Sequence, residues 1–193
     1  YHTGSAENYI NTDVAATYEM GEGAHLFRTA PSGTAGTGIT FANKVRIDSD
    51  GLKFNYDTSA ANALDDYEEG TFTATLRGST GEPATLATDV GYYTKIGRSV
   101  TFKIEFTAAT TTDYTGDVDI EGLPFTTMGN GREVCAMSLY TGFVFTQHPI
   151  AILPNGLTKI ELRDAKSNAA WGRVTHAAGT GSYLWVAGTY QST

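Results

Sequence analysis

The run RSVTFKIEFTAA (98–109) places Val100, Phe102, Ile104 and Phe106 at every second position, with Thr101, Lys103 and Glu105 between them. Side chains of an extended strand point alternately to its two faces, so this segment has one dry side and one wet side. A helix would scatter the same four residues around its circumference. Strand formation is therefore forced here, and the same alternation recurs downstream. In TFTATL (71–76), Phe72, Ala74 and Leu76 alternate with threonines; in DVDIEGLPF (117–125), Val118 and Ile120 alternate with carboxylates. GYYTKIG leads directly into the long run, and EVCAMSLYTGFVF, PIAILP, LTKIELRD and YLWVAGTYQ complete the set. About eight strands with turn residues between them and no amphipathic helix pattern predict an all-β, antiparallel β-sandwich of jelly-roll type over residues 70–193. There is no fixed-period repeat of the solenoid kind.

Composition agrees with that reading. The chain has 22 glycines and only 18% charged residues, a mixture suited to short strands and tight turns. With 40% hydrophobic residues it has enough apolar area to offset chain entropy, which argues against disorder. A net charge of −8 repels phosphate, so nucleic-acid binding is not expected. No apolar run reaches membrane-spanning length and no signal-peptide pattern opens the chain, so membrane insertion is not expected either. The first residue is Tyr1, which suggests a fragment of something longer. Cys135 is the only cysteine and reads as a small buried hydrophobe; it has no intrachain disulfide partner, and three equivalent copies of it around an axis cannot all pair.

Residues 1–69 follow a different logic. HLF, ITF, VRI and LKF are brief apolar clusters separated by Gly, Pro, Ser and Asp-Gly turn signals, and KVRID alternates like a half-buried strand. Each cluster is too small to build a core. A chain that keeps offering small apolar faces buries them against copies of itself, which predicts a trimeric β shaft. SAANALDDYEEG (59–70) changes composition from small residues to carboxylates and reads as a linker or helical turn, placing the domain boundary near Glu69–Gly70.

ALDDYEEGTFTATL, followed by GYYTKIGRSVTFKIEFT and IEGLPF, resembles a module found at the C-terminal ends of bacteriophage tail-fibre and other virion proteins. Its pattern is LDDYEEGT with an aromatic and a Thr-Pro, a GxYTKIG turn, and a closing G-LPF segment; here Phe72 fills the aromatic slot and Ala74 replaces the usual Pro. The block HLFRTAPSGTAGTGITFANKVRIDSDG is similar to a second phage fibre segment, without the self-cleaving chaperone that often follows it. The resemblance spans residues 20–125. It implies a virion location in the distal tail fibre, homotrimeric assembly, other phage tail proteins as neighbours, and adsorption to a host-surface glycan or outer-membrane receptor.

Candidate chemistry is sparse. Asp117, Asp119 and Glu121 share one strand face roughly 6–7 Å apart, a spacing open to carboxylate-pair catalysis or calcium, but they read as the wet side of a strand whose other side holds Val118 and Ile120. Asp48-Ser49-Asp50-Gly51 begins like a calcium loop but has Ser59 where the closing Glu belongs, and reads as a turn. His2, His25, His148 and His176 form no ligand set, although three copies of His25 on an axis would be able to hold a metal. No nucleophile motif occurs, so neither an enzyme nor a cofactor is expected. Sugar recognition needs an exposed ring beside polar groups. Trp171 in SNAAWGRV, with Asn168 and Arg173 nearby, is one candidate; Tyr183 and Trp185, on the face opposite Leu184 and Val186, and Tyr114 in TTTDYTGD are others. Each of these rings alternatively packs in the core or between chains. The expected function is a receptor-binding fibre tip. The alternatives are a purely structural virion or baseplate component and a fragment of a polysaccharide-depolymerising tailspike.

Overall fold

The computed structural model describes residues 7–64 and 66–193; His2 and Asp65 lie outside them. The chain divides into two compact units, Tyr1–Asp66 and Tyr67–Thr193. The division falls three residues before Glu69–Gly70 because Tyr67, Glu68 and Glu69 already pair with Ile96, Lys95 and Thr94 as the start of a strand. Within SAANALDDYEEG, Ala60–Asn62 forms a 3-10 turn and residues 67–70 are already strand. Among the described residues the sole helical element is a 3-10 turn, Ala60–Asn62.

The first unit is an antiparallel meander of β1 (Asp13–Gly21), β2 (Ala24–Gly33), β3 (Ala42–Asp48) and β4 (Gly51–Phe54). Glu22 and Gly23 both take positive φ between β1 and β2, the twist that a two-residue hairpin turn requires. Between β3 and β4 the Asp48 carboxylate accepts the Asp50 amide at 3.0 Å and meets Lys53 Nζ at 3.1 Å, so Asp48-Ser49-Asp50-Gly51 is a salt-bridged turn. The Arg46 guanidinium, first among its neighbours, holds the Asp48 carboxyl down at about 2. HLF, VRI and LKF lie within β2, β3 and β4, whereas ITF sits in the β2–β3 loop. That loop is tied by Tyr9, whose backbone bonds Thr37 and Gly36; its ring covers Gly33, where a Cβ would stand 2.0 Å from the ring edge.

The second unit contains β5 (Tyr67–Gly78), β6 (Thr88–Ile96), β7 (Ser99–Ala109), β8 (Val118–Glu121), β9 (Glu133–Tyr140), β10 (Phe143–Val144), β11 (His148–Leu153), β12 (Lys159–Ala165), β13 (Gly172–Arg173), β14 (Thr175–His176) and β15 (Ser182–Gln191). The eight strand runs of the sequence are β5, β6, β7, β8, β9, β11, β12 and β15. They do not form the expected sandwich. Pairing runs β5-β6-β7-β15-β9-β11-β12-β8 and returns to β5, because β11 pairs with both β9 and β12, and β8 with both β12 and β5. One sheet closes on itself as an eight-stranded antiparallel barrel, which leaves no free edge in the ring.

Two reciprocal pairs bend this sheet. Phe72 lies over Gly91 and Tyr93 over Gly70, each glycine being the direct cross-strand partner of the ring that covers it. A Cβ at Gly91 would come within 2.3 Å of the Phe72 ring. Glycines under aromatic rings let the strands curve sharply while the ring refills the space.

The inward faces fill the barrel. Val100, Phe102, Ile104 and Phe106 are all buried, with Ala74, Leu76, Val118, Ile120, Leu162, Leu184, Val186 and Tyr190. This interior is a packed core, so any ligand has to be held on the outer wall or at the loops. Cys135 belongs to the same core, as its setting suggested, and burial pushes its thiol up to about 12.

Candidate functional site

Outward residues of β7, β15 and β9 build the most ligand-like surface of the barrel. The central strand, β15, displays Tyr183, Trp185, Ala187 and Thr189 outward, because Leu184, Val186 and Tyr190 occupy the core. Cross-strand register places Glu105 and Ser138 on either side of Trp185, and Tyr140 opposite Tyr183. Trp185 is 48% exposed and Tyr140 67%. The Tyr183 ring meets Trp185 edge-on at 6.4 Å and Tyr140 at a tilt, also at 6.4 Å. Three rings thus form a cornered platform, lining a depression of about 300 Å³ with Ser138 and Leu139.

A second depression, about 330 Å³, lies on the other side of Trp185. Its floor is low because Ala187 pairs with Ala136, two small side chains side by side. Its rim carries Lys103 and Glu105, whose ammonium and carboxylate are 2.8 Å apart and well exposed. An ammonium donor, a carboxylate acceptor and the Ser138 hydroxyl therefore surround one indole. The wall continues across β6 and β5 as a shallow groove of about 680 Å³ bordered by Thr71, Tyr92, Thr94 and Thr101.

The sequence candidates separate into three environments. Tyr183 and Trp185 stand together on this wall, outward as their alternation required. Trp171 is 51% exposed in the turn between β12 and β13, and Asn168 in the same turn adopts φ 57°. Arg173 is committed elsewhere, bonding Asp117 at 3.1 Å, Glu161 at 3.0 Å and also Asp119. In the barrel, β11 and β9 lie between β12 and β15, so the Trp171 turn and the three-ring wall are distinct surfaces.

Tyr114 is not a surface ring. It is 3% exposed, its hydroxyl accepts the Ala87 amide at 2.6 Å, and it stacks on His176 at 4.9 Å. Positive φ at Asp113 and Gly116 turns the TTTDYTGD loop so that the ring enters the core. It is withdrawn from the candidate set.

No protein-family model matches the chain, and neither does any curated protein sequence.

The carboxylates weighed for catalysis or calcium are neutralised by partners. Asp117 bonds Arg173 at 3.1 Å, Asp119 bonds Lys159 at 2.9 Å, and Glu121 faces Arg77 at 3.4 Å. Pairing of carboxylates with Arg and Lys in this way stiffens a wall. Among the described residues no group of three or more His, Cys, Asp or Glu has metal-binding geometry. His25 is hydrogen-bonded to the Tyr18 hydroxyl through Nδ1 at 2.6 Å. His176 packs against Tyr114 and Phe143, its Nε2 at 2.9 Å from the Arg77 carbonyl; burial lowers its pKa.

Tyr140, Ser138, Lys103 and Glu105 were missed as site residues; parity places them on the outer face, and cross-strand register brings them to Tyr183 and Trp185. In EVCAMSLY, burying Cys135 and Leu139 sends Ser138 and Tyr140 outward, and burying Ile104 sends its two charged neighbours outward.

Proposed function

We propose that this chain is the distal, receptor-binding part of a bacteriophage tail fibre, a homotrimer in the virion that adheres to host-surface glycan through the outer wall of each barrel. The observation that carries the reading is the Tyr140–Tyr183–Trp185 platform, with the Lys103–Glu105 pair and Ser138 beside it. Pyranose rings offer one apolar face and a rim of hydroxyls; a ring platform flanked by donors and acceptors complements both. The ALDDYEEGT, GYYTKIG and GLPF strings support the virion assignment, and other phage tail proteins would carry the first unit. Adhesion by such sites is a multivalent process. Three weak contacts per fibre, repeated over several fibres, hold a particle without any tight single site.

A second reading is a structural virion component that binds no glycan. Tyr92 and Val90 favour it, because they extend the apolar character of the wall yet are 60% and 48% exposed. Binding of the purified chain to an array of bacterial surface polysaccharides separates the two. The fibre-tip reading expects retention of particular glycans by the wild type and loss on Trp185→Ala; no retention of any glycan supports the structural reading. Release of new reducing ends from a retained polysaccharide would instead indicate a depolymerising tailspike.

A further inference from the structure

The four-stranded sheet of the first unit has two unlike faces. One carries charges that satisfy each other: Arg28 with Glu19, Arg46 with Asp48, and Lys53 with Asp48 and Asp50. Ala24, Leu26 and Ala30 are buried on that side.

The other face holds no Asp, Glu, Lys or Arg in its two central rows, where His25 is the one imidazole. Register aligns Tyr18, Phe27, Val45 and Phe54 across all four strands, and Met20, His25, Ile47 and Leu52 in the adjacent row. The rings of Tyr18 and Phe27 touch with centroids 5.0 Å apart. Yet Met20 is 70% exposed and Phe54 53%, and Tyr18, Phe27 and Ile47 are each more than two-fifths exposed. At ~150–250 Å² for each of the three rings and about as much for each of Met20 and Ile47, five side chains about half open leave roughly 500 Å² of contiguous apolar surface, the upper range of what a monomer keeps bare.

We infer that this face is the seam between copies of the chain. A sheet with one apolar face is stable when a second layer covers it, and among its described residues the first unit supplies one sheet. Sheet-on-sheet packing of two copies would bury that patch on each partner, and with its flanks approaches the ~800 Å² per partner of a standard interface. Charge selects the same face. Copies with a net charge of −8 repel one another, and these rows are where they can approach without bringing like charges together. The inference does not rest on glycan binding; in the fibre reading the number of copies is three.

Sedimentation equilibrium of the full chain is the test, alongside the double variant Met20→Glu/Phe27→Glu and the opposite-face control Glu19→Gln. Wild type and control should associate, while the double variant, with β-sheet circular dichroism retained, associates about 100-fold more weakly because its carboxylates would be desolvated without partners. Three copies agree with the proposed fibre; two copies keep the seam and count against the fibre. Association unchanged in the double variant, or a wild type that stays monomeric at every concentration, overturns the inference. Should the double variant fail to fold, peroxide oxidation of wild-type Met20 decides: protection that grows with association supports the seam, and oxidation equally fast in monomer and oligomer overturns it.

Discussion

Removing the indole of Trp185 tests the candidate site most directly. An aromatic side chain offers up to ~250 Å² of surface, so with 48% of it open the ring presents roughly 120 Å² to solvent. A pyranose stacked on one side covers about half of that, or ~60 Å², which at ~25 cal/mol/Å² is worth about 1.5 kcal/mol. Trp185→Ala should therefore weaken a single-site glycan interaction about tenfold. The side chain points away from the core, so the variant should unfold at nearly the wild-type urea concentration. The chain contains just two tryptophans, which makes the assay clean. In Trp171→Phe the remaining emission comes from Trp185 and should change on titration with a retained polysaccharide; in Trp185→Phe, reporting Trp171, it should not. The opposite pattern, together with wild-type affinity in Trp185→Ala, would refute the wall as the binding surface and favour the turn that carries Trp171.

Stability should fall with acidity in two windows. Burial depresses the His176 pKa below its unfolded 6.5, so the folded barrel resists binding that proton; its contribution is complete above pH 6.5 and declines below it. Asp48 and Asp164, held at about 2 against an unfolded 3.8, contribute fully above 3.8 and lose that contribution as pH falls toward 2. Urea midpoints measured from pH 8 to 3 should show both declines, and His176→Phe should flatten the upper one. Tyr190→Phe leaves the Phe125 carbonyl and amide, bonded at 3.0 and 3.3 Å, without their phenol, and should cost about 1–3 kcal/mol in chemical denaturation. Gly91→Ala should destabilise by about 1–3 kcal/mol through collision with the Phe72 ring, and part of that loss should be recovered in Gly91→Ala/Phe72→Ala, as calorimetry of the cycle would reveal. Cys135 should resist a thiol reagent until the barrel is unfolded by denaturant, since it is buried with its thiol raised to about 12.

All eight barrel strands were legible as apolar runs between turn signals, and β5, β7, β8 and β15 also by alternation, a local property; β11 departs from it, with Ala151, Ile152 and Leu153 buried in succession. Closure was not legible. Alternation identifies the inward residues, and those residues would be the same if the strands were split into two facing sheets. What decides the matter is that β11 finds β9 on one side and β12 on the other, with Gly70 and Gly91 relieving the curvature between β5 and β6. Neither fact has a local signature. The site was half legible for a related reason. Tyr183 and Trp185 could be assigned to one face from their own strand, but Glu105, Ser138 and Tyr140 join them only through pairing between distant segments. Tyr114 misled because polar neighbours usually mark an exposed loop, whereas here the loop folds its ring into the core. Among its described residues the first unit buries few apolar side chains, Tyr9, Ala24, Leu26 and Ala30; the pairing of its charges on one face was not seen, since that depends on which strand lies beside which.

The position of β15 between β7 and β9 has a consequence for how the molecule is made. Both neighbours are synthesised before it, so a nascent chain holds an unfinished wall until residues 182–191 arrive. The same ten residues bring Tyr183 and Trp185. A polypeptide that terminates prematurely upstream of Ser182 is thus both gapped and without two of its three platform rings, so it cannot carry the intact platform on a defective body.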